Sequence, residues 1–382
     1  MIYLDNAATS FPKAPGVAEA MLRALTDAGG NPGRSGHPLA VAAQGVVSDT
    51  RRRLSALLGV PDPTRIVFAA NATDALNQAL FGLLRPGERV VTTSIEHNAL
   101  ARPLRSLAGC GVTVAQVAAA ADGSIDLDDL ARAIKAQPTR LVAMSHASNV
   151  SGTILPAREA ARLAHEQGAL LLLDAAQTAG TLPLDVDEMG FDLLALPGHK
   201  GLLGPPGTGA LYLAPGIALT PLRYGGTGIR SEDEGMPQEL PERFEAGTLN
   251  TVGLAGLGAA LRYLAERGVA AVRAQEMALT ERLLAGLQDI AGLRIHGIAD
   301  PARQVATVSI SLHDWEPADL ATALGSSFGI AVRAGLHCAP DAHRTLGTYP
   351  CGTVRLSAGC FTTEDDIDQA VAALRQLAVN PA

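Results

Sequence analysis

Lys200 follows an apolar segment that ends in Pro197 and Gly198, within the sequence FDLLALPGHK. A lysine amine forms covalent bonds with carbonyl compounds, so Lys200 is a candidate for the attachment of a cofactor or substrate. A lysine taken alone is more often a solvent-exposed surface residue. The catalytic interpretation of Lys200 therefore depends on the residues that accompany it.

Polar residues follow three other apolar segments of the chain. Asp174 follows five apolar residues, His97 comes after the segment ERVVTTS, and Asn149 comes after TRLVAMSHAS. In open α/β sheets, ligands bind outside the carboxyl ends of the strands, where such residues meet. A helix cap, a packed histidine or a turn would explain each of these residues alone. Together with Lys200 they favour a ligand site.

The segment FAANATDALN passes from a strand pattern to a helix pattern at Ala72 and Thr73. Free N–H groups at the start of a helix bind phosphate. A lysine, an aspartate, a histidine and a phosphate-binding helix start together suit pyridoxal 5′-phosphate (PLP). In PLP sites the lysine forms a Schiff base and the aspartate pairs with the pyridinium nitrogen. We therefore expect PLP as the cofactor.

Residues 204–209, GPPGTG, resemble the start of a nucleotide-binding P-loop. The P-loop lysine should follow these glycines, but Ala210 and Leu211 occupy its place. Lys200 precedes the glycines instead. We therefore expect this segment to shape the loop behind Lys200 rather than to bind ATP.

Strand and helix patterns alternate between residues 64 and 215. This order predicts an α/β fold with a mainly parallel sheet covered by helices. Residues 224–250 are rich in glycine, proline and charge, which is typical of a long functional loop. Helical patterns follow over residues 251–290. The strands and the final helix after them, which opens with a near capping box at Thr363 and Asp366, indicate a smaller α+β domain.

The composition is that of a globular protein, with 382 residues, 47% hydrophobic residues and a net charge of −8. The negative charge gives no reason to expect nucleic acid or an anionic membrane as a partner. The N-terminal residues lack a signal-peptide pattern, and no apolar run approaches the ~18 residues of a membrane span. We therefore expect a cytoplasmic protein. The four cysteines have neither the spacing of a disulfide framework nor that of a metal site.

The motifs of the chain, taken in order, resemble those of the class V aminotransferase family, and more narrowly the cysteine desulfurase and selenocysteine lyase group. These motifs are YLDNAAT, EHN, SNVSGT, LLLDAAQ, GHK with GPPGTG, FEAGTLN and RAGLHCAP. The segment around Cys338 is similar to the second desulfurase subgroup, whose cysteine loop is compact. The resemblance implies a homodimeric PLP-dependent transferase of fold type I.

The resemblance implies two domains. Residues 15–250 would form the large PLP-binding α/β domain. Residues 1–14 and 251–382 would form the small α+β domain, which would carry Cys338 and Arg355.

The resemblance also implies a role for each matching residue. Lys200 would carry the Schiff base, Asp174 would keep the pyridine nitrogen protonated, and His97 would stack on the ring and assist proton transfer. Asn149 would lie near the ring hydroxyl and the substrate carboxylate, and Arg355 would bind that carboxylate through its paired N–H groups. The residues implied in cofactor binding are Ala72, Thr73, His97, Asn149, Asp174, Gln177, His199, Lys200 and, from the other subunit, Thr248.

Cys338 decides the reaction. Arg333, His337, His343 and Arg344 lie near it in sequence, and cationic neighbours favour the nucleophilic thiolate. Local composition alone is equally consistent with an inert loop cysteine. The match to the desulfurase motif Arg-x-Gly-x-His-Cys implies that Cys338 takes the sulfur of L-cysteine as a persulfide, releases alanine and passes the sulfur to an acceptor protein.

The other three cysteines, Cys110, Cys351 and Cys360, carry no functional pattern. Unpaired cysteines in a reducing compartment are usually small core residues. We therefore expect them to have packing roles.

Two positions depart from the family pattern at the phosphate. Pro197 replaces a residue with a hydroxyl group, and Ala72 replaces the first of two threonines. A hydrogen bond to a charged group contributes roughly 1.5–3 kcal/mol. We therefore expect PLP to bind, but to be retained less firmly.

Other functions remain open from the sequence. Within the family, the alternatives are selenocysteine lyase activity or another class V reaction on a different amino acid. Outside catalysis, the chain could be a cofactor-poor protein that keeps the fold for binding.

Overall fold

The protein is described by a computed structural model that covers residues 1–33 and 36–379. Residues 34–35 of the predicted large domain and residues 380–382 of the predicted small domain lie outside the described residues. Three sheets organise the described chain, with seven, four and two strands.

The seven-stranded sheet forms the centre of the large domain, in the order β2-β8-β7-β6-β5-β3-β4. Strand β8 runs antiparallel to both of its neighbours, and the remaining pairs are parallel. The prediction of a mainly parallel sheet is therefore confirmed. The strands of the chain are β1 (Ile2–Tyr3), β2 (Ile66–Ala69), β3 (Arg89–Thr93), β4 (Thr113–Val117), β5 (Leu141–Ser145), β6 (Leu170–Asp174), β7 (Leu193–Pro197), β8 (Gly209–Leu213), β9 (Leu293–His296), β10 (Thr307–Leu312), β11 (Ile330–Ala331), β12 (Arg333–Gly335) and β13 (Thr353–Ser357).

Helices cover both faces of this sheet. The helices are α1 (Val17–Asp27), α2 (Pro38–Leu57), α3 (Ala72–Leu83), α4 (Asn98–Gly109), α5 (Leu127–Lys135), α6 (Ala157–His165), α7 (Val186–Met189), α8 (Thr251–Arg267), α9 (Val269–Leu287), α10 (Pro317–Phe328), α11 (Pro340–Thr345) and α12 (Glu364–Val379). Helices α3 and α4 pack on one face, while α2, α5, α6 and α8 pack on the other.

Before Asp174, the residues of β6 are apolar without interruption because helices cover both faces of the sheet. Leu171 and Leu173 face the core under α6 and α8, while Leu172 faces the core under α3 and α4. Successive side chains of a strand point to opposite faces, so a strand buried on both sides needs apolar residues throughout. Its polar residue, Asp174, is therefore confined to the carboxyl end.

The small domain is built on the antiparallel sheet β12-β13-β10-β9. Helices α9, α10 and α12 supply the apolar side chains of its core. The N-terminal strand β1 joins this domain, because it pairs in parallel with β11 and contributes Ile2 and Leu4 to the same core. Helix α12 begins as expected, since Thr363 and Asp366 each bond the backbone N–H of the other.

Helix α8 packs with the large domain. Its residues Leu254, Leu257 and Leu261 belong to the core under the seven-stranded sheet. Helix α9 spans the transition, since Val272 lies in that core and Leu279 lies in the core of the small domain. We therefore propose that the domains change within α9 and not at residue 251.

A buried carboxyl group joins the ends of β3 and β5. Glu96 Oε1 accepts a hydrogen bond from Thr93 Oγ1 at 2.5 Å. Glu96 Oε2 accepts hydrogen bonds from the backbone N–H and the hydroxyl of Ser145, at 2.8 and 2.6 Å. Burial raises the pKa of Glu96 to about 7, although these hydrogen bonds oppose the rise. His97 and Asn149 lie just beyond the two strand ends that Glu96 connects.

Replacement of this residue tests its protonation state. The folded-state pKa lies above the usual 4.5, so the contribution of Glu96 to stability is full below that value and is lost as the pH rises through about 7. Glu96→Gln mimics the neutral form, because its amide can donate to Thr93 and accept from Ser145. We expect the free energy of unfolding of the wild type to fall by about 3 kcal/mol relative to Glu96→Gln between pH 5 and pH 8.5 or above.

Urea unfolding across this pH range measures the difference. The exposed Glu159→Gln on α6 is the matched control, and its pH dependence should follow that of the wild type. An unchanged difference between the wild type and Glu96→Gln across the range would contradict the buried neutral carboxyl.

Candidate active site

The sequence-predicted residues come together at one edge of the large sheet. Strands β7, β6, β5 and β3 are consecutive parallel neighbours, so their carboxyl ends lie side by side. His199 and Lys200 follow β7, Asp174 ends β6, Asn149 follows β5, and His97 follows β3. The topology alone therefore places the four strand ends next to one another.

Lys200 and Asp174 form an electrostatically coupled pair. Burial lowers the pKa of Lys200 to about 8, and the negative charge of Asp174 opposes this shift. Asp174 is 4% exposed and accepts the N–H of Ala176 at 2.9 Å. Burial raises the pKa of Asp174, while this hydrogen bond and the charge of Lys200 lower it. Lys200 can therefore exchange a proton near neutral pH.

His97 caps helix α4 in a defined tautomer. Its Nδ1 accepts the backbone N–H of Ala99 at 3.0 Å, so Nδ1 carries no proton. Burial lowers the pKa of His97 to about 4, helped by the positive charges of Lys200 and Arg333. The neutral ring therefore carries its proton on Nε2, which is available as a hydrogen-bond donor.

Arg355 lies in β13 and is 1% exposed. Its Nη2 donates to Asp5 Oδ1 at 2.7 Å, and its Nη1 donates to the carbonyl of Asn149 at 2.9 Å. Its Nε–H is buried without a partner among the described residues. A buried guanidinium with a free N–H group is suited to an anionic ligand.

The loop of Cys338 is fixed to the large domain at two carbonyl groups. The backbone N–H of Asn98 donates to the carbonyl of Cys338, and Asn149 Nδ2 donates to the carbonyl of His337, both at 2.7 Å. Both loop residues have left-handed backbone angles, with φ of 49° at His337 and 57° at Cys338. Such conformations are uncommon outside glycine and concentrate at functional sites. Cys338 is exposed, and Arg333 Nη2 lies 3.6 Å from its Sγ.

A chain of hydrogen bonds supports this loop from the interior. His337 Nε2 lies 3.2 Å from the carbonyl of Arg333, so it must donate, and His337 Nδ1 is then an acceptor. His343 Nε2 lies 3.3 Å from that Nδ1 and must be the donor. His343 Nδ1 then accepts from the hydroxyl of Thr348 at 2.7 Å. Burial lowers the pKa of both histidines, to about 3 and 4, which keeps both rings neutral as this order requires.

The start of helix α3 offers donors to an anion. Asn71 caps the helix by accepting the N–H of Asp74 at 2.9 Å. Across residues 1–33 and 36–379, no acceptor binds the N–H groups of Ala72 and Thr73. These groups therefore remain free for a phosphate.

The N-terminal loop supports His199. His199 Nδ1 lies 3.1 Å from Thr9 Oγ1, and its carbonyl accepts from Lys13 Nζ at 2.9 Å. Burial lowers the pKa of His199 to about 4, helped by Lys200 and Lys13. The loop behind Lys200 is held from the other side, since the N–H of Gly204 donates to the carbonyl of Gly198 at 2.8 Å. Residues 204–209 thus shape this loop, as the sequence suggests.

Two predicted residues make other contacts within one protomer. Gln177, implied to contact the ring hydroxyl, donates from Nε2 to the carbonyl of Ala7 at 3.1 Å. Thr248 lines a separate cavity of about 180 Å³ with Phe68 and Asn250. No contact joins Thr248 to Lys200 in the described part of the chain.

The residues present fit PLP. Lys200 supplies an amine, Asp174 a buried carboxyl group, and the start of α3 two free N–H groups. The free Nε–H of Arg355 adds a donor for a carboxylate. Pro197 and Ala72 carry no hydroxyl group, so a phosphate there would depend on backbone N–H groups and on neighbouring side chains such as His199.

Sequence reasoning missed two residues that shape the site, namely Asp5 and Lys13. Asp5 lies in the motif YLDNAAT, so its position was visible, but its pairing with Arg355 spans 350 positions of the chain. Lys13 carries no spacing signal. The sequence did name His337 and His343, but as cationic neighbours of Cys338, and this interpretation is wrong because burial keeps both rings neutral.

The remaining cysteines differ in their environments. Cys360 is buried and lies 4.0 Å from the hydroxyl of Tyr263, as a packing role requires. Cys110 and Cys351 are exposed, so the expectation that they pack in the core is wrong. Cys110 lies at the end of the amphipathic helix α4, and Cys351 lies in the turn before β13.

The described chain, residues 1–33 and 36–379, contains no helix with the length and apolar character needed to cross a lipid bilayer.

Comparison with known proteins finds the same pattern over nearly the whole chain. The family model of aminotransferase class-V matches residues 2–370. A probable cysteine desulfurase of Methanothermobacter thermautotrophicus is 36% identical over 99% of this chain and 94% of its own length. Another, from Halalkalibacterium halodurans, is 34% identical over 96% of this chain and 91% of its own.

Solved structures of similar proteins have the same fold. The apo structure of a cysteine desulfurase from Thermococcus onnurineus has a TM-score of 0.93 at 32% identity, over 99% of this chain and 94% of that one. The cysteine desulfurase CsdA, in an S-sulfonic acid form from Escherichia coli, has a TM-score of 0.89 at 29% identity, over 100% and 95%.

Replacement of His343 tests the hydrogen-bond chain. His343→Phe keeps a ring of similar size but leaves His337 Nδ1 without a donor, and it leaves the Thr348 hydroxyl with only the backbone carbonyl at position 343, 3.4 Å away. We expect a loss of about 1–3 kcal/mol in the free energy of unfolding. His343→Gln retains an N–H donor and should lose less. Urea unfolding measures both variants, with the exposed His313→Phe as the control. If His343→Phe were as stable as the wild type, the hydrogen bonds from His343 to His337 and Thr348 would not contribute to stability.

Proposed function

Because this chain belongs to the aminotransferase class-V family, we propose that it is a PLP-dependent cysteine desulfurase. It would convert L-cysteine to L-alanine and collect the sulfur as a persulfide on Cys338. Relatives named as probable cysteine desulfurases, 34–36% identical over nearly the full chain, support this reaction.

One observation carries the proposal. The carbonyl groups of His337 and Cys338 are bound by Asn149 and Asn98, which follow β5 and begin α4 at the edge that holds Lys200. An exposed thiol from the small domain is therefore held beside the polar strand ends of the large domain. A scaffold without catalysis would not need this strained loop, since left-handed conformations cost roughly 1–3 kcal/mol each.

PLP, when bound, supplies the electron sink that stabilises negative charge on the substrate carbon. We assign to Lys200 the covalent attachment of PLP and the transfer of protons, because its pKa of about 8 permits both charge states near neutral pH. Asp174 would hold the pyridine nitrogen. Its burial keeps competing water away from that contact.

His97 and Arg355 would orient the bound molecules. Nδ1 of His97 accepts the N–H of Ala99, so the ring proton lies on Nε2. His97 would therefore donate a hydrogen bond from Nε2 and would not accept a proton at that atom. Arg355 would bind the substrate carboxylate through its free Nε–H, with Asn149 beside it. Gln177 would reach the cofactor from the N-terminal loop.

Cys338 would receive the sulfur. Its thiolate attacks the sulfur of the substrate, a sulfur–sulfur bond forms, and the bond between sulfur and the substrate carbon breaks. The carbon takes up a proton and leaves as alanine. Cysteine and one thiol thus give alanine and one persulfide, with no external oxidant.

The phosphate end would need a second subunit. Ala72, Thr73 and His199 would bind the phosphate from one protomer, and Thr248 of a homodimer partner would add a hydroxyl group. A dimer would therefore complete the site. We further propose that the enzyme works in the cytoplasm, where its four free cysteines stay reduced.

The ionisation of Lys200 predicts a pH dependence. Only the neutral amine attacks PLP, so its attachment rate should rise with pH through about 8 and level off above it. Asp174→Asn removes the negative charge that raises the pKa of Lys200. The midpoint of the pH profile of the attachment rate should therefore move to lower pH. Borohydride reduction followed by peptide mass mapping measures attachment at Lys200. Lys200→Ala is the control, and a midpoint that moves to higher pH in Asp174→Asn would contradict the pairing.

Alanine release from L-cysteine, with a reductant present, tests the reaction. The wild type should release alanine, and Cys338→Ala should release it more than about 100-fold more slowly. Cys351→Ala, also exposed, is the matched control and should resemble the wild type. Equal alanine release by Cys338→Ala and the wild type would reject the persulfide. Alanine from selenocysteine alone would favour a selenocysteine lyase.

A further inference from the structure

Four arginines lie on the elements next to the exposed loop of Cys338. We call them the arginine rim, and they are Arg102, Arg105, Arg333 and Arg344. They come from both domains, since the first two lie on α4 and the last two lie in β12 and α11. Among them, Arg333 comes closest to the thiol, with Nη2 3.6 Å from Sγ.

Arg344 and Arg105 meet at one carboxylate. Asp341 Oδ1 accepts from Arg344 Nη1 at 2.6 Å, and Asp341 Oδ2 pairs with Arg105. The side chains of Arg105 and Arg344 remain 56% and 52% exposed despite these contacts. Both guanidinium groups therefore keep free N–H donors that face solvent.

Arg102 lies one helical turn before Arg105 and is also exposed. Helix α4 begins at Asn98, whose N–H binds the carbonyl of Cys338. The first turns of α4 thus lie beside the cysteine loop. The positive charge of Arg102 helps to lower the pKa of His97, the residue that caps this helix.

The rim has the opposite charge to the rest of the chain. The rim contains four guanidinium groups, which stay charged at all working pH values, and the carboxylate of Asp341 pairs with two of them. The net charge of the chain is −8. A positive surface around a reactive atom attracts anionic partners and raises their association rate.

An aromatic contact extends the rim. The guanidinium of Arg344 lies 4.3 Å from the ring centroid of Tyr349. Tyr349 is 47% exposed, and the neighbouring Pro350 and Cys351 are exposed as well. Exposed arginine and tyrosine side chains are the residue types that most often dominate binding at protein interfaces.

We propose that the arginine rim is the docking surface for a sulfur acceptor whose thiol is flanked by acidic residues. This inference rests on the proposed function for its chemistry, but the rim itself can be tested without it. The acceptor would be a polypeptide, because Tyr349 and the spread of the rim offer contacts that a small thiol could not fill.

The transfer balances without an oxidant. The acceptor thiolate attacks the outer sulfur of the Cys338 persulfide, and a new sulfur–sulfur bond forms on the acceptor. The original sulfur–sulfur bond breaks, and Cys338 leaves as a thiolate. The acceptor thus becomes the persulfide, and Cys338 returns to the form that begins the next cycle.

Two synthetic peptides with one cysteine each test the preference, with glutamates flanking it in one and lysines in the other. Lysines lower the pKa of a peptide thiol and glutamates raise it, so thiol ionisation works against the expected result. We expect the glutamate peptide to discharge persulfide-loaded wild-type enzyme roughly tenfold faster at low salt, and the advantage to shrink at high salt.

Variants that remove single positive charges test whether the arginine rim causes the preference for the glutamate peptide. Arg102→Gln and Arg105→Gln should each reduce the preference for the glutamate peptide, while alanine release in one turnover stays unchanged. Arg158→Gln is the matched control, since α6 packs on the opposite face of the sheet from α4. Thermal unfolding of each variant checks that the fold is kept.

Alkylation separates failure of the rim from failure of the proposed function. Iodoacetate is anionic and iodoacetamide is neutral, and both alkylate Cys338 without substrate. The rate ratio of iodoacetate to iodoacetamide, followed by peptide mapping at Cys338, should fall in the rim variants and at high salt. A ratio that is unchanged in every variant and independent of salt would overturn the proposal, whatever the enzyme does with cysteine. Equal rates for the two peptides would overturn it as well.

Discussion

The guanidinium of Arg355 joins three parts of the chain that are far apart in sequence. It contacts Asp5 at the N-terminus and the carbonyl of Asn149 in the large domain, from its own place in β13 of the small domain. A buried guanidinium is costly unless a negative charge compensates it, and Asp5 supplies that charge to Arg355. The partners of Arg355 therefore constrain where the three segments lie. The strand ends, the cysteine loop and the N-terminal loop are all arranged around this group.

The cysteine loop shows how the surrounding structure holds a strained segment. His337 and Cys338 adopt left-handed conformations that a flexible loop would leave. Their carbonyl groups are bound by the large domain, and the side chain of His337 is bound by His343 from within. Backbone and side chain are thus fixed by different elements. The thiol can remain exposed while the chain that carries it stays in one place.

The sequence predicted the features that are determined by residues close to one another along the chain. Alternating strands and helices, the polar residue after each strand, and the capping pair Thr363 and Asp366 all follow from neighbours in sequence. The antiparallel direction of β8 and the packing of α8 under the large sheet could not be read in this way. They depend on contacts between segments that no local periodicity records. The same is true of the pairing of Asp5 with Arg355 and of the histidine chain, because each joins residues whose types are common and whose proximity is created by folding.

The N-terminal strand has a mechanical consequence. Ile2 and Leu4 lie in the core of the small domain, whereas Ala14 and Val17 lie in the core of the large one. The main chain therefore passes from one core to the other between Leu4 and Ala14 and again within α9. It returns after β12, because Ala339, Ala342 and Leu346 pack in the core of the large domain. The small domain is thus fastened to the large one at several points along the chain, and a free swing of one against the other would have to break this packing. Cys338, directly before Ala339, therefore keeps its distance from the strand ends of the large domain.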